Sequence, residues 1–281
     1  MTPSPLLRCP LCQQTLAAEA HSLRCPQGHG FDRARQGYFH LLPVQNKRSR
    51  TPGDDPDMVR ARHSFLEQGH YAPLSDHINR LLLESLNPAP KPLRLLDCGC
   101  GEGYYTDRLQ HTLNDNAPGS DLIGLDISKA AVRQAAKRNP AITWIVASSK
   151  SPPLAEHGLD GALCLFAPLE SAALHRVLKP GGLLLVATTG PDHLLTLREA
   201  IYPEVRRNAF NPTPQLERHF SPVEQEQVQF DFTLEHSEAI LQLLAMTPHQ
   251  WRASAHARQN LANCQQLTIG VDVQLNLYQA R

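Results

Sequence analysis

The chain has no apolar run of about 20 residues, the length needed to cross a bilayer. It has no positively charged start followed by a short apolar core, so export is not expected and the cytoplasm is the expected compartment. Net charge is also missing: 27 Lys and Arg balance 27 Asp and Glu, which argues against blanket coating of nucleic acid. Nor is there a disulfide framework. Cys98, Cys100, Cys164 and Cys264 stand in apolar or loop contexts that suit reduced thiols. The last absence is the G-x-G-x-x-G of dinucleotide enzymes, whose third glycine serves helix–strand packing beside a pyrophosphate.

What is present begins with Cys9, Cys12, Cys25 and His29, in the spacing C-x2-C-x12-C-x3-H. Three thiolates and one imidazole complete a tetrahedral Zn²⁺ shell. A redox C-x-x-C would sit in a strand–helix pattern, and the first thirty residues hold none. Pro10 and Pro26 each follow a ligand cysteine, which suits tight turns. His21 is a competing nitrogen without partner spacing. Four protein ligands leave no open position for water, so one structural zinc per chain is expected. Residues 1–50 carry seven Arg and Lys (Arg8, Arg24, Arg33, Arg35, Lys47, Arg48, Arg50) against Glu19 and Asp32. That excess attracts phosphate or is simply a solvated face; both readings stand.

At 281 residues, with 41% hydrophobic content, the chain has length for two domains. The boundaries read as a zinc-binding domain at 1–45, a helical linker at 46–92 and a main domain at 93–281. In the linker, Asp55 or Asp57 caps a helix through Met58 and Phe65, and Pro73 opens another through Ile78 and Leu86. Strands then alternate with helices: strands at 93–98, 122–126, 142–147, 161–166 and 183–188. This rhythm predicts a parallel sheet covered by helices on both faces. Further on, Val228 to Leu234 and Leu267 to Leu277 alternate apolar with polar, the mark of antiparallel strands. Five parallel strands closed by two such strands predict a Rossmann-like class I S-adenosylmethionine-dependent methyltransferase domain.

The first strand runs into Asp97-Cys98-Gly99-Cys100-Gly101-Glu102-Gly103. Glycines 99, 101 and 103 let backbone approach a nucleoside where a Cβ would collide. Asp97 and Glu102 would repel a pyrophosphate but favour the positive sulfonium and ammonium of S-adenosylmethionine. Asp126 ends the second strand, where a carboxylate accepts the ribose hydroxyls or caps the helix starting near Ser128.

The chain resembles, over essentially its whole length, the bacterial 23S rRNA (guanine-N1) methyltransferases of the RlmA type. The zinc cluster with Gly28-His29-Gly30-Phe31-Asp32 carries the resemblance first. Leu41-Leu42-Pro43-Val44-Gln45, Phe65-Leu66-Glu67-Gln68-Gly69-His70-Tyr71, the loop 97–106, Leu125-Asp126-Ile127-Ser128 and Gly190-Pro191-Asp192-His193 follow in order. Thr189 stands where the family pattern has Pro. The resemblance implies methyl transfer from S-adenosylmethionine to N1 of a guanine in the helix 35 hairpin loop of 23S rRNA. It implies cofactor contacts at Tyr71, Gly101, Glu102 and His193, and a homodimer with a shared RNA cleft. Asp160 and Glu170 are weighed as acceptors of the guanine N1 proton but read as surface carboxylates, neither assigned as catalytic, and Phe166-Ala167-Pro168 is considered as a holder of the base. Tyr38, Phe39, Lys47, Arg48 and Arg50 are the expected RNA contacts. Two rival readings are a small-molecule methyltransferase of the quinone-precursor type, and a cofactor-binding protein whose zinc module docks proteins.

Overall fold

A computed structural model describes residues 3–46, 49, 51–87 and 91–281. Lys47, Arg48, Arg50 and linker residues 88–90 lie outside the described residues. The N-terminal segment forms β1 (Ala17–Ala18), β2 (Ser22–Arg24) and β3 (Gly30–Asp32), an antiparallel three-stranded ribbon, then β4 (Phe39–His40). Two helices follow. α1 (Pro56–Leu66) is capped by Asp55, whose Oδ1 accepts from the amides of Asp57 (2.8 Å) and Met58 (3.0 Å). α2 (Ala72–Leu86) ends at Asn87 in the left-handed region.

The main sheet takes β5 (Arg94–Cys98), β6 (Asp121–Asp126), β7 (Thr143–Val146), β8 (Leu159–Leu165) and β9 (Leu178–Thr189), with α3 (Tyr104–Asn116), α4 (Lys129–Arg138) and α5 (Ser171–Val177) between them. α6 (Leu195–Ile201) and α7 (Thr213–Leu216) lead to β10 (Phe220–Leu234). α8 (Ser237–Ala245), a 3-10 turn at Pro248–Trp251 and α9 (Ala255–Asn263) precede β11 (Leu267–Ala280). The order is β10-β11-β9-β8-β5-β6-β7-β4, with β10 and β11 antiparallel. The expected five parallel strands and two antiparallel closing strands are therefore present.

Two features were not expected. β4, from the zinc-bearing segment, pairs in parallel with β7 and adds an eighth strand. Helices also cover only part of the second face. Residues 147–158, between β7 and β8, hold no helix. The N-terminal segment fills that space: Leu6, Leu7, Leu16 and Leu23 share a buried core with Leu96, Ile123, Ile145 and Leu154. Backbone bonds stitch it down, from Arg8 N to Pro153 O and from Ala155 N to Leu6 O, each 2.8 Å. The opposite face packs Leu95, Trp144 and Leu185 against α2, α3, α4 and α8.

Candidate active site and metal centre

Where the parallel strands end, a cavity of about 570 Å³ opens. Its floor is Cys98 to Glu102, its sides are the turns after β6, β7, β8 and β9, and its roof is α1, Tyr71 and residues 246–249. Ligands lie beyond the carboxyl ends of parallel strands for a topological reason: neighbouring connections diverge there. Gly99, with φ +92°, runs so close to the next loop that an added Cβ would stand 2.4 Å from Ala167 Cβ. Gly103 serves another purpose. It caps α3 at φ +85°, and a Cβ there would meet Trp144 at 2.8 Å and Ala135 at 2.9 Å.

Three carboxyl groups gather at this floor. Asp97, 2% exposed, accepts from Thr106 Oγ1 at 2.6 Å through Oδ2, while its Oδ1 has no partner. Burial pushes its pKa up from 3.8 to about 7 against that hydrogen bond, and Asp126 and Glu102 add to the rise. Glu102 is buried with Oε1 unpartnered, and burial raises it too. Asp126 accepts from Gly101 N (3.0 Å) and Ser128 N (2.7 Å), again raised by burial. Desolvated carboxylates with idle oxygens attract a cation carrying several donors and repel a pyrophosphate.

His193 meets the cavity from the turn after β9. Its Nδ1 accepts from Asp272 N at 3.3 Å, and its ring faces Phe166 (centroids 6.3 Å apart, 26°) and the edge of Tyr71 (6.5 Å, 71°). Burial lowers its pKa to about 4, so it is neutral at physiological pH, with Nε2–H left as the donor. Asp272 holds the turn: its Oδ2 accepts from Asp192 N (3.0 Å) and its Oδ1 from Gln227 (2.8 Å). Phe166 keeps φ +54°, rare for a non-glycine residue, and leaves its ring 43% exposed at the mouth.

On the sheet's outer side, Cys9, Cys12, Cys25 and His29 bring their ligand atoms within 4.8 Å of one another. Sγ of Cys9 and Cys25 lie 3.5 and 3.4 Å from His29 Nδ1, and the Cys12 and Cys25 sulfurs are 3.6 Å apart. Zn–S near 2.3 Å and Zn–N near 2.0 Å give tetrahedral edges of about 3.5–3.8 Å, so the donor set fits. Two knuckle turns shape it: Gln13 N donates to Cys9 O (2.8 Å), and Gly28 N, at φ +85°, to Cys25 O (2.9 Å).

Comparison with known proteins adds the family. Residues 7–50 match the family described as "RlmA, N-terminal", a zinc ribbon, and 95–182 match a methyltransferase domain. A Streptomyces fradiae protein named 23S rRNA (guanine(748)-N(1))-methyltransferase is 36% identical over 248 residues, 87% of this chain and 85% of its own. The chain belongs to the RlmA-type 23S rRNA (guanine-N1) methyltransferase family. A Bacillus subtilis (strain 168) relative, also named for guanine-N1 methylation of 23S rRNA, is 32% identical over 281 residues (96% and 95% of the two chains). A chain from the complex of the Haloferax volcanii Trm112 methyltransferase activator with a methyltransferase shares the fold: TM-score 0.50, 14% identity, 81% of this chain, 98% of that one.

As an RlmA-type methyltransferase, the protein uses S-adenosylmethionine and carries a structural zinc. Of the residues singled out from sequence, Tyr71, Gly99, Gly101, Glu102, Asp126 and His193 line the cavity together. Asp97 lies just beneath its floor, and Gly103 faces Trp144. Asp126 borders the cavity and receives Ser128 N, but the cap of α4 is Ser128, whose hydroxyl accepts from Ala131 N at 3.3 Å. Asp160 stands at the opposite end of β8, bound by Lys179 Nζ (2.5 Å) and Arg94 N (2.9 Å), far from any reacting group. The expectation that Tyr38 and Phe39 contact RNA is corrected: they are 4% and 5% exposed, Phe39 as part of the sheet strand β4 and Tyr38 in the core cluster with Leu42 and Tyr71, so neither ring is free to stack on a base.

Sequence reasoning missed three groups. Arg62 of α1 enters the cavity paired with Asp54 at 2.5 Å; residues 246–249 supply part of the roof; Asp272 sets His193. Asp272 had a visible signal: an acid flanked by Val271 and Val273 in a strand is buried and must be hydrogen-bonded. Among the described residues, no helix is long and apolar enough to cross a membrane.

Proposed function

We propose that this chain transfers the methyl group of S-adenosylmethionine to N1 of a guanine in the helix 35 hairpin loop of 23S rRNA. The observation that carries the reading is a relative named for that atom type, 36% identical over 87% of the chain, beside a zinc ribbon at 7–50 that matches the RlmA family on its own. Bound S-adenosylmethionine supplies an electrophilic methyl on a sulfonium. The chain's own residues orient and desolvate the reactants. Asp126 offers its remaining lone pairs to ribose hydroxyls, Gly99 and Gly101 admit the nucleoside, and Asp97 and Glu102 place negative charge opposite the cationic end. Tyr71 and His193 wall the side where the guanine enters, with Phe166 as an exposed ring for a base that has left its stack. Methylated N1 cannot keep its proton, which would pass to water or to a carboxylate lining the cavity. Glu170 is the carboxylate at the cavity mouth, 3.6 Å from Lys150.

Primer extension on 23S rRNA tests this. A strain lacking the gene loses the stop at the N1-methylated guanine, and adding the gene back restores it. A stop that persists in the deletion strain refutes the proposal. Salt separates the small-molecule alternative: RNA binding weakens steeply with added salt through counterion release, and an apolar substrate does not respond.

A further inference from the structure

With Tyr38 and Phe39 buried, the aromatic surface for splayed RNA bases lies elsewhere. Among the described residues, Trp251 is the most exposed aromatic ring, at 70%. It ends the 3-10 turn Pro248–Trp251, and Thr247, Pro248 and His249 of that segment line the cavity. Trp251 thus stands two residues from the reaction chamber, on its outer side.

The segment is firmly held. Tyr202 Oη and His249 Nδ1 are 2.9 Å apart, and the amides of Arg252 and Ala253 both donate to His249 O at 3.0 Å. The Arg258 guanidinium reaches back from α9 to Ala253 O at 3.2 Å and to Gln250 O. That guanidinium is thus tied to the backbone on either side of Trp251. No Asp or Glu occurs between Glu238 and Asp272, whereas Arg252, His256 and Arg258 fall in that stretch and are exposed. Gln259, Asn260 and Asn263 are also exposed, offering donors and acceptors suited to base edges.

We propose that the acid-free segment from Pro248–Trp251 through α9 docks the single-stranded RNA flanking the methylated nucleotide, with Trp251 as a stacking platform for a neighbouring base. This rests on the function proposed above. A ring isolated among arginines and amides suits a base π-face with a phosphate beside it. It suits a protein interface less, since that needs about 800 Å² per partner with an apolar centre.

The test uses the full-length zinc-bound protein and a fluorescent RNA hairpin with a loop guanine, read by anisotropy. Trp251→Ala weakens binding about ten-fold, the usual worth of one stacked base, and Trp251→Phe recovers most of it. Arg252→Gln lowers the slope of log affinity against log salt by about 0.7. Removing the base next to the target guanine costs the wild type a similar factor and costs Trp251→Ala nothing further. Zinc content and melting temperature of each variant confirm that the exposed substitutions leave the fold intact. If Trp251→Ala binds the hairpin as tightly as a wild type that methylates it, the docking surface is refuted and the function stands. If the wild type neither binds nor methylates the hairpin, both fall. If Trp251→Ala turns a dimer into a monomer with unchanged RNA affinity, the ring belongs to a second copy and the proposal is overturned.

Discussion

Replacing Asp97 by Asn separates the cost of the buried acid from its use. In the cofactor-free protein the carboxyl is buried, one oxygen has no partner, and its pKa is pushed from 3.8 to about 7. The folded protein therefore holds this proton more tightly than the unfolded chain does. Between about pH 4 and pH 7 the folded state binds the extra proton, so stability falls as pH rises through that window and the loss is complete above it. At about 1.36 kcal/mol per pK unit, the full cost of ionising Asp97 is on the order of 4 kcal/mol. An asparagine cannot ionise, and its Oδ1 still accepts from Thr106. The stability advantage of Asp97→Asn over wild type should thus grow by about 3 kcal/mol between pH 5 and pH 7.5, as read by urea unfolding. Cofactor binding should move the other way. Wild-type affinity for S-adenosylmethionine rises with pH up to about 7, and the variant binds more weakly with a flat profile, measured calorimetrically. Parallel stability curves for the two proteins across that range would refute the reasoning.

Gly99→Ala should cut cofactor affinity about ten-fold or more, because its Cβ lands 2.4 Å from Ala167. Gly69→Ala, at φ +82° with nothing within 4 Å, should cost only about 1 kcal/mol of stability. Equal cofactor affinities in these two variants would sink the close-approach argument. Asp272→Ala strands Asp192 N and Gln227 and frees the turn under His193; expect a loss of about 2–3 kcal/mol by denaturant titration and a fall in kcat. An active, fully stable variant would show that His193 is set by something else. Cys9→Ser should bind less than one zinc per chain and melt about 10 °C lower, since Cys9 is fully buried in the core shared with the sheet. A metal-free variant with wild-type melting would remove the zinc from the stability argument.

Much of the site was legible because its chemistry is local in sequence. The glycine loop, Asp126 and the zinc knuckles each sit within a few residues whose spacing carries the geometry. The roof was not legible. Residues 246–249 reach the cavity because α8 packs on α1 across nearly two hundred residues of chain, and no period or motif in either segment announces that contact. Tyr38 and Phe39 failed for a related reason. An aromatic pair beside basic residues reads as exposed, yet two residues suffice to form an edge strand: Phe39 pairs beside Ile145 and is buried on one face of the sheet, while Tyr38, just before the strand, is buried in the cluster on the other. Asp160 shows why a strand-end acid is ambiguous in sequence: a parallel strand has two ends, and only the carboxyl end faces the cavity.

The zinc ribbon's place in the sheet changes what a structural metal means here. A boundary near residue 45 divides the sequence, but the chain crosses it with its core intact, since Tyr38 and Leu42 pack in the same cluster as Tyr71. β4 covers the edge of β7 that an open sheet would expose, and Leu41 N extends the pairing to Val146 O at 2.9 Å. Directly after β7 come Ser148, Ser149 and Lys150, which wall the cavity. The path from the metal to the cofactor side is thus one ribbon, one edge strand and one loop. A zinc that fixes the ribbon would therefore also steady the strand beside that loop. This is the physical reason for joining a metal module to a sheet edge rather than tethering it on a linker.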